Sequence, residues 1–152
     1  MTPQFKPCNS EYKEKIIESF NRQEVMKTVN ASIIGVRPGE MELEFPYHSS
    51  LTQQHGFIHA GIVSTVLDTA CGYAAFSLMS ENAAVLTIEF KVNLLSPTKG
   101  ECFRAVGKVK KSGKTITVTE GELFSCSDGR EKLTATMVAT IMSIYDREEI
   151  EG

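Results

Sequence analysis

Between Ile58 and Ser80 the chain carries a single carboxylate, Asp68, in a run otherwise built mostly of small and apolar residues. An ionised carboxylate in such a segment is costly to desolvate unless something compensates it. A buried Asp satisfied by nearby donors is one reading, and a carboxylate kept there to do chemistry is the other. The residues just upstream favour chemistry. His55-Gly56-Phe57-Ile58-His59-Ala60-Gly61 reads as a glycine-containing approach to a helix, leaving the amides of Ala60 and Gly61 unpaired at the positive end of the helix dipole. Amides placed this way can hold an oxyanion. Gly56 and Gly61 also have a plainer reading, as turn and close-packing residues.

Helical geometry constrains how these groups could cooperate. Gly61 and Asp68 are seven residues apart, so they share a helix face but lie about 10 Å apart along its axis. If both act on one carbonyl, the carboxylate comes from a second subunit whose helix lies antiparallel across a two-fold axis, giving two equivalent sites per dimer. His59 falls on roughly the opposite face from Asp68 and is expected to make a structural hydrogen bond at the helix entrance. His48 and His55 have no Cys or carboxylate partners at ligand spacing, so no metal site is expected. Cys71 has no cationic neighbour to make it a thiolate and reads as a small core residue.

The elements that must position these groups follow from periodicity. Tyr12, Ile16, Ile17, Phe20 and Val25 recur at helical spacing over about residues 10–25, with Asn9 or Ser10 as N-cap. Val29, Ala31 and Ile33, then Met41, Leu43 and Phe45, alternate on either side of the turn Arg37-Pro38-Gly39-Glu40 and predict two antiparallel strands. The run over about residues 59–79 is apolar nearly all round and predicts a buried central helix. Four segments rich in Val, Ile, Thr and Phe follow, over about 83–95, 101–110, 115–125 and 132–145, separated by good turn chemistry. The expected fold is α+β, an antiparallel sheet wrapped around one long central helix, in a single domain over residues 1–152 with a frayed acidic tail at 146–152.

Composition narrows the function classes. Hydrophobic residues make up 41% of the 152, charged residues 23%, and the net charge is -3, which excludes a disordered chain and gives no electrostatic case for nucleic acid. The opening residues Met1 to Pro7 lack an apolar h-region, so neither a signal peptide nor a membrane span is expected. The four cysteines form no C-x-x-C pattern, and the simplest expectation is reduced thiols in a cytoplasm.

The segment from Gln53 to Ala75 resembles the hotdog-fold thioesterases of the phenylacetate-degradation (PaaI-like) type. Their motif, Asn-x-x-Gly-x-x-His-Gly-Gly, is followed by Asp nine residues after the His. Here the chain reads Gln53-Gln54-His55-Gly56-Phe57-Ile58-His59-Ala60-Gly61, then Asp68-Thr69-Ala70-Cys71-Gly72-Tyr73, and on the next strand Thr87 through Asn93 to Leu95-Ser96-Pro97. In element order the resemblance runs from about residue 10 to residue 145. It implies a hotdog fold and an acyl-CoA thioesterase in which Asp68 is general base or nucleophile. Ala60 and Gly61 match the amides that polarise the thioester carbonyl, and the sequence leaves open which one donates. Gln53 matches the Asn whose side-chain amide helps place the carbonyl or the water. Thr87 matches the Ser or Thr that helps hold the attacking water.

Two departures stand out: Ala60 for the first Gly, and Gln53, one methylene longer, for Asn. The His-Ala-Gly form resembles bacterial members that favour medium or long acyl chains. His59 and Gly56 border the expected substrate site. Lys108, Lys110 and Lys111 on one hairpin could meet the phosphates of coenzyme A, an ordinary charged hairpin being the alternative. The resemblance further implies no cofactor beyond the coenzyme A thioester substrate itself, and self-association as a homodimer and then a homotetramer. Two other readings compete: a non-catalytic acyl-CoA or lipid binder on the same fold, and a hotdog hydratase or dehydratase.

Overall fold

A computed structural model describes residues 4–152. In chain order it contains α1 (Tyr12–Asn21), α2 (Glu24–Val29), β1 (Ser32–Arg37), β2 (Glu40–Pro46), a 3-10 turn (Ser49–Leu51), α3 (Ala60–Phe76), β3 (Ala84–Leu94), β4 (Cys102–Ser112), β5 (Ile116–Ser127) and β6 (Arg130–Ile144). The strands form one six-stranded sheet in the order β1-β2-β4-β5-β6-β3, and every neighbouring pair is antiparallel. This is the expected sheet wrapped around one long helix.

Burial alternates along the strands because successive side chains point to opposite faces. Met41, Leu43, Phe45, Phe103, Ala105, Leu123, Met137 and Ile141 line the inner face and are buried, and Phe45 stacks on Phe103 with ring centroids 4.9 Å apart. Against them α3 buries Val63, Val66, Leu67, Ala70 and Ala74. The helix comes unusually close to the sheet over a pair of glycines. Gly107 of β4 and Gly121 of β5 are register partners. A Cβ on Gly107 would lie 2.3 Å from the Ala70 carbonyl oxygen, and one on Gly121 would lie 2.9 Å from Cys71 Sγ.

Several boundaries differ from the sequence reading, each for a local reason. The single helix expected over residues 10–25 is two helices, because Gln23 takes an extended backbone (φ -77, ψ 99) and breaks the run. Val29, expected in the first strand, is instead the buried last residue of α2, which Asn30 closes in the left-handed conformation (φ 59, ψ 40) that Asn tolerates. β1 therefore begins at Ser32. The central helix stops at Phe76 rather than near 79, where Ser77 turns its hydroxyl back to the Ala74 carbonyl and accepts the Gly39 N–H, both at 2.7 Å. The tail at 146–152 does not simply fray: the Gly152 carbonyl accepts a hydrogen bond from Arg22.

The helix is also not apolar all round. From Thr69 to Phe76 every residue is buried, but on its first half Gly61 is exposed and Ser64, Thr65 and Asp68 are only half-buried. The strand beside that open face, β3, is a sheet edge. It exposes Leu86, Ile88, Phe90 and Leu94 along its 11 residues. A long apolar edge of this kind is a template for pairing with another chain.

Candidate active site

Asp68 projects from the open face of α3 into a cleft of about 720 Å³ between that helix, β3 and the α1–α2 corner. Thr87, inward-facing on β3, donates from Oγ1 to Asp68 Oδ1 at 2.7 Å. Burial lifts the Asp68 carboxyl above its ordinary value, and the Thr87 hydrogen bond, which favours the charged form, pulls it back. Ser64 and Thr65, its neighbours one turn earlier, donate their hydroxyls to the carbonyls of Ala60 and Gly61 at 2.9 and 2.8 Å. That leaves Thr87 as the side-chain donor on Asp68.

At the start of α3 the two candidate amides differ. His59 is the N-cap, with an extended backbone (φ -60, ψ 137), and its Nδ1 accepts the Gly61 N–H at 2.8 Å. This is the structural hydrogen bond expected of His59. It corrects the expectation that both amides are open: the Gly61 N–H is spent on the cap. Among the described residues no acceptor is paired with the Ala60 N–H, so Ala60 holds the open donor at the positive end of the helix.

Gln53 and Ala60 line a second cleft, of about 540 Å³, formed with the end of β3 and the turn that follows it. Gly56 (φ +81) makes the turn that returns the chain toward α3, closed by hydrogen bonds between Gln53 N and Phe57 O at 2.9 Å and between Gly56 N and Gln53 O at 3.0 Å. The Gln53 side-chain carbonyl accepts the His55 N–H, which leaves its NH₂ group as the part free to meet a substrate. Ser96 Oγ, in the wall of the same cleft, is buried and has no hydrogen-bond partner among the described residues.

One chain therefore places Asp68, Thr87 and Gly61 in one cleft and Ala60 with Gln53 in another. It also leaves the expected phosphate-binding lysines elsewhere. Lys108 and Lys110 project from the outer face of β4, away from α3, and lie 4.0 Å from Glu40 and 3.5 Å from Glu120. Lys111 follows a bulge in the same strand. The chain itself does not bring them to Asp68. His48 accepts the Ser50 N–H through Nδ1 at 3.1 Å, and His55 is exposed. Among the described residues no group of three or more His, Cys, Asp or Glu is placed to share a metal ion. Burial pushes the Cys71 thiol up to about 12, which fits its reading as a core residue.

Sequence reasoning missed Gln23, Thr69, Gly72 and Tyr73, which also line the Asp68 cleft. The signal for three of them was their place on the same helix, Thr69 directly after Asp68 and Gly72 and Tyr73 about one turn further. Gln23 carried none, because its run reads as continuous helix.

The comparisons with known proteins agree with this architecture. Residues 55–132 match the thioesterase superfamily model, and the chain belongs to that superfamily. A thioesterase family protein from Silicibacter pomeroyi is 56% identical, with a TM-score of 0.88 over 89% of this chain and 99% of that one. The PaaI protein from the phenylacetic acid degradation operon of E. coli shares the fold, with a TM-score of 0.80 at 18% identity over 90% of this chain and 96% of that one. Human acyl-coenzyme A thioesterase 13 is 26% identical over 101 residues, 65% of this chain and 71% of that protein. The fold is the hotdog thioesterase fold, PaaI-like, and the chemistry of the superfamily is thioester hydrolysis. Among the described residues no helix is long and apolar enough to cross a membrane.

Proposed function

We propose that this chain hydrolyses acyl-coenzyme A thioesters, and that each site is shared by two subunits. The observation that carries the reading is the carboxylate of Asp68, held by Thr87 on the open face of α3 inside a cleft. Asp68 acts as general base. Its half-buried position raises its basicity, and with Oδ1 taken by the Thr87 hydroxyl the free oxygen, Oδ2, is the one that meets the attacking water. Asp68 takes a proton from that water as its oxygen attacks the thioester carbon. The Ala60 N–H holds the developing oxyanion and the Gln53 NH₂ orients the carbonyl. Collapse of the tetrahedral intermediate breaks the C–S bond, and the proton passes to the departing sulfur, giving free acid and coenzyme A.

The sharing of the site follows from distance and topology. The Asp68 cleft runs along α3 from Gly61 to Tyr73 and the other cleft opens beside it at Ala60 and Val63, but Asp68 itself stands eight residues from Ala60, about 12 Å along the axis. The apolar free edge of β3 forms part of both. A second copy paired along β3 in a homodimer would cover Leu86, Ile88 and Phe90 and set the Asp68 cleft of one chain against the Ala60 cleft of the other. Pairing of such dimers into a homotetramer, a cytoplasmic location and a preference for medium or long acyl chains belong to the same reading. A hydratase is disfavoured because, among the described residues, no histidine lines the Asp68 cleft.

The test is release of free thiol from a panel of acyl-CoAs by the wild-type protein and by Asp68→Asn. Asparagine keeps the shape and still accepts from Thr87, so folding should persist while hydrolysis is lost by orders of magnitude. Equal turnover by the variant would refute the mechanism. No turnover by the wild type, together with acyl-CoA binding, would establish the non-catalytic binder instead.

A further inference from the structure

We propose that the far end of the Asp68 cleft is a subsite for an acyl tail bearing a hydrogen-bonding group, with Gly72 leaving the room and Gln23 reading the polar group; this rests on the acyl-CoA hydrolase reading above.

Gly72 lies four residues beyond Asp68, about 6 Å further along the same face of α3. It lines the cleft, and a Cβ built on it meets no other atom within 4 Å. Gly107 and Gly121 are needed for packing, because a Cβ there runs into α3. Gly72 has no such contact. In mid-helix, where glycine costs about 0.5–1 kcal/mol relative to alanine, its effect is to keep the cleft open one turn past the reacting carbonyl. Val25, Leu86 and Phe90 give that space apolar sides.

The end of the space is polar. Gln23 is the N-cap of α2, yet its side chain makes no cap hydrogen bond. It reaches across to α3 instead, where Nε2 donates to the Tyr73 hydroxyl at 2.9 Å and Oε1 accepts from Thr69 Oγ1 at 3.2 Å. Ser19 Oγ sits 2.9 Å from the same Tyr73 hydroxyl. A primary amide has two N–H donors and two acceptor lone pairs, so these bonds fix its orientation and leave one donor and one acceptor. Gln23 lines the cleft. A fixed amide with spare capacity at the end of an apolar channel suits a hydroxyl or carbonyl on the tail better than a plain methyl terminus.

The experiment compares kcat/KM for acetyl-CoA, hexanoyl-CoA and 6-hydroxyhexanoyl-CoA using the full chain as wild type, Gly72→Val and Gln23→Leu. The wild type is expected to prefer the hydroxylated six-carbon substrate over hexanoyl-CoA by roughly three- to tenfold, the worth of one net hydrogen bond. Gln23→Leu should erase that preference. Gly72→Val should depress both six-carbon substrates about tenfold more than acetyl-CoA, since the added side chain fills the far space. A wild type indifferent to the hydroxyl, or a Gly72→Val that slows all three substrates equally, would overturn the proposal. Should Gln23→Leu not fold, the wild-type comparison and Gly72→Val still decide. If hydrolysis persists in Asp68→Asn, the catalytic reading fails. If it is lost there but no tail preference exists, only the subsite fails.

Discussion

Replacing Gly107 by alanine should show how tightly the sheet fixes the catalytic helix. The added Cβ would lie 2.3 Å from the Ala70 carbonyl oxygen, 2.4 Å from its carbon and 2.7 Å from Cys71 N, all backbone atoms of α3, where ordinary contact begins at 3.4 Å. No rotamer change relieves a clash with backbone, so α3 must retreat by about 1 Å, enough to forfeit a quarter to a half of each dispersion contact along the seam. Overpacking of this kind costs about 1–3 kcal/mol, and a backbone collision belongs at the upper end. At 2–4 °C per kcal/mol for a chain of this size, Tm should fall by roughly 6–12 °C. Asp68 lies two residues before Ala70, so the same retreat lengthens its 2.7 Å bond from Thr87. A misplacement near 1 Å can cost about 100-fold in rate.

Gly72→Ala is the matched control. It meets open space and should gain about 0.4–1 kcal/mol through the unfolded chain. Thermal unfolding by circular dichroism, with thiol release as the activity assay, measures both variants. A Gly107→Ala protein that melts within a degree or two of wild type at full activity would refute the packing argument.

Three further outcomes are expected. Because Asp68 must be ionised to act and its carboxyl is raised by burial but lowered by Thr87, kcat/KM should fall as pH drops through its elevated value. Thr87→Val should move that acid limb to higher pH, as the pH profile of the two proteins would show. The same sign makes burial of the charged Asp68 destabilising as pH rises, so the stability gap between Asp68→Asn and wild type should narrow in acid. His59→Ala removes the cap on Gly61 and should cost about 1 kcal/mol in denaturant unfolding, with His59→Asn recovering most of it. Ser96→Ala deletes a buried hydroxyl that has no partner among the described residues; it should be neutral or stabilising by about 1 kcal/mol in the same experiment.

Much of the fold was legible because each strand signals itself locally. The alternation Met41, Leu43, Phe45 and the turn at Arg37 to Glu40 needed no tertiary information. The motif around Asp68 was legible for a related reason, since a carboxylate in an apolar run stands out by cost alone. What was lost depended on contacts between distant residues. Gln23 breaks a helix that its neighbours' periodicity would continue, and its side chain is held by Tyr73 and Thr69. The glycine pair at 107 and 121 has meaning only once β4 and β5 lie side by side beneath α3. Cys102 and Cys126, scattered in sequence, are register partners across the same strands. The His59 cap illustrates the limit most sharply. Sequence placed two amides at the helix start, but which one stays open depends on the side-chain rotamer of the residue before them.

The central claim, a site made from Asp68 of one chain and the Ala60 amide of another, can be tested by mixing two inactive variants. Ala60→Pro removes that N–H at the first position of α3, where proline is best tolerated, and His59 already has the extended backbone a following proline requires. Asp68→Asn removes the base. Each should be folded and inactive alone. Unfolded together and refolded as an equal mixture, half the dimers should be hybrids with one intact site of two, restoring about a quarter of wild-type thiol release. A mixture as inactive as its components would contradict the shared site.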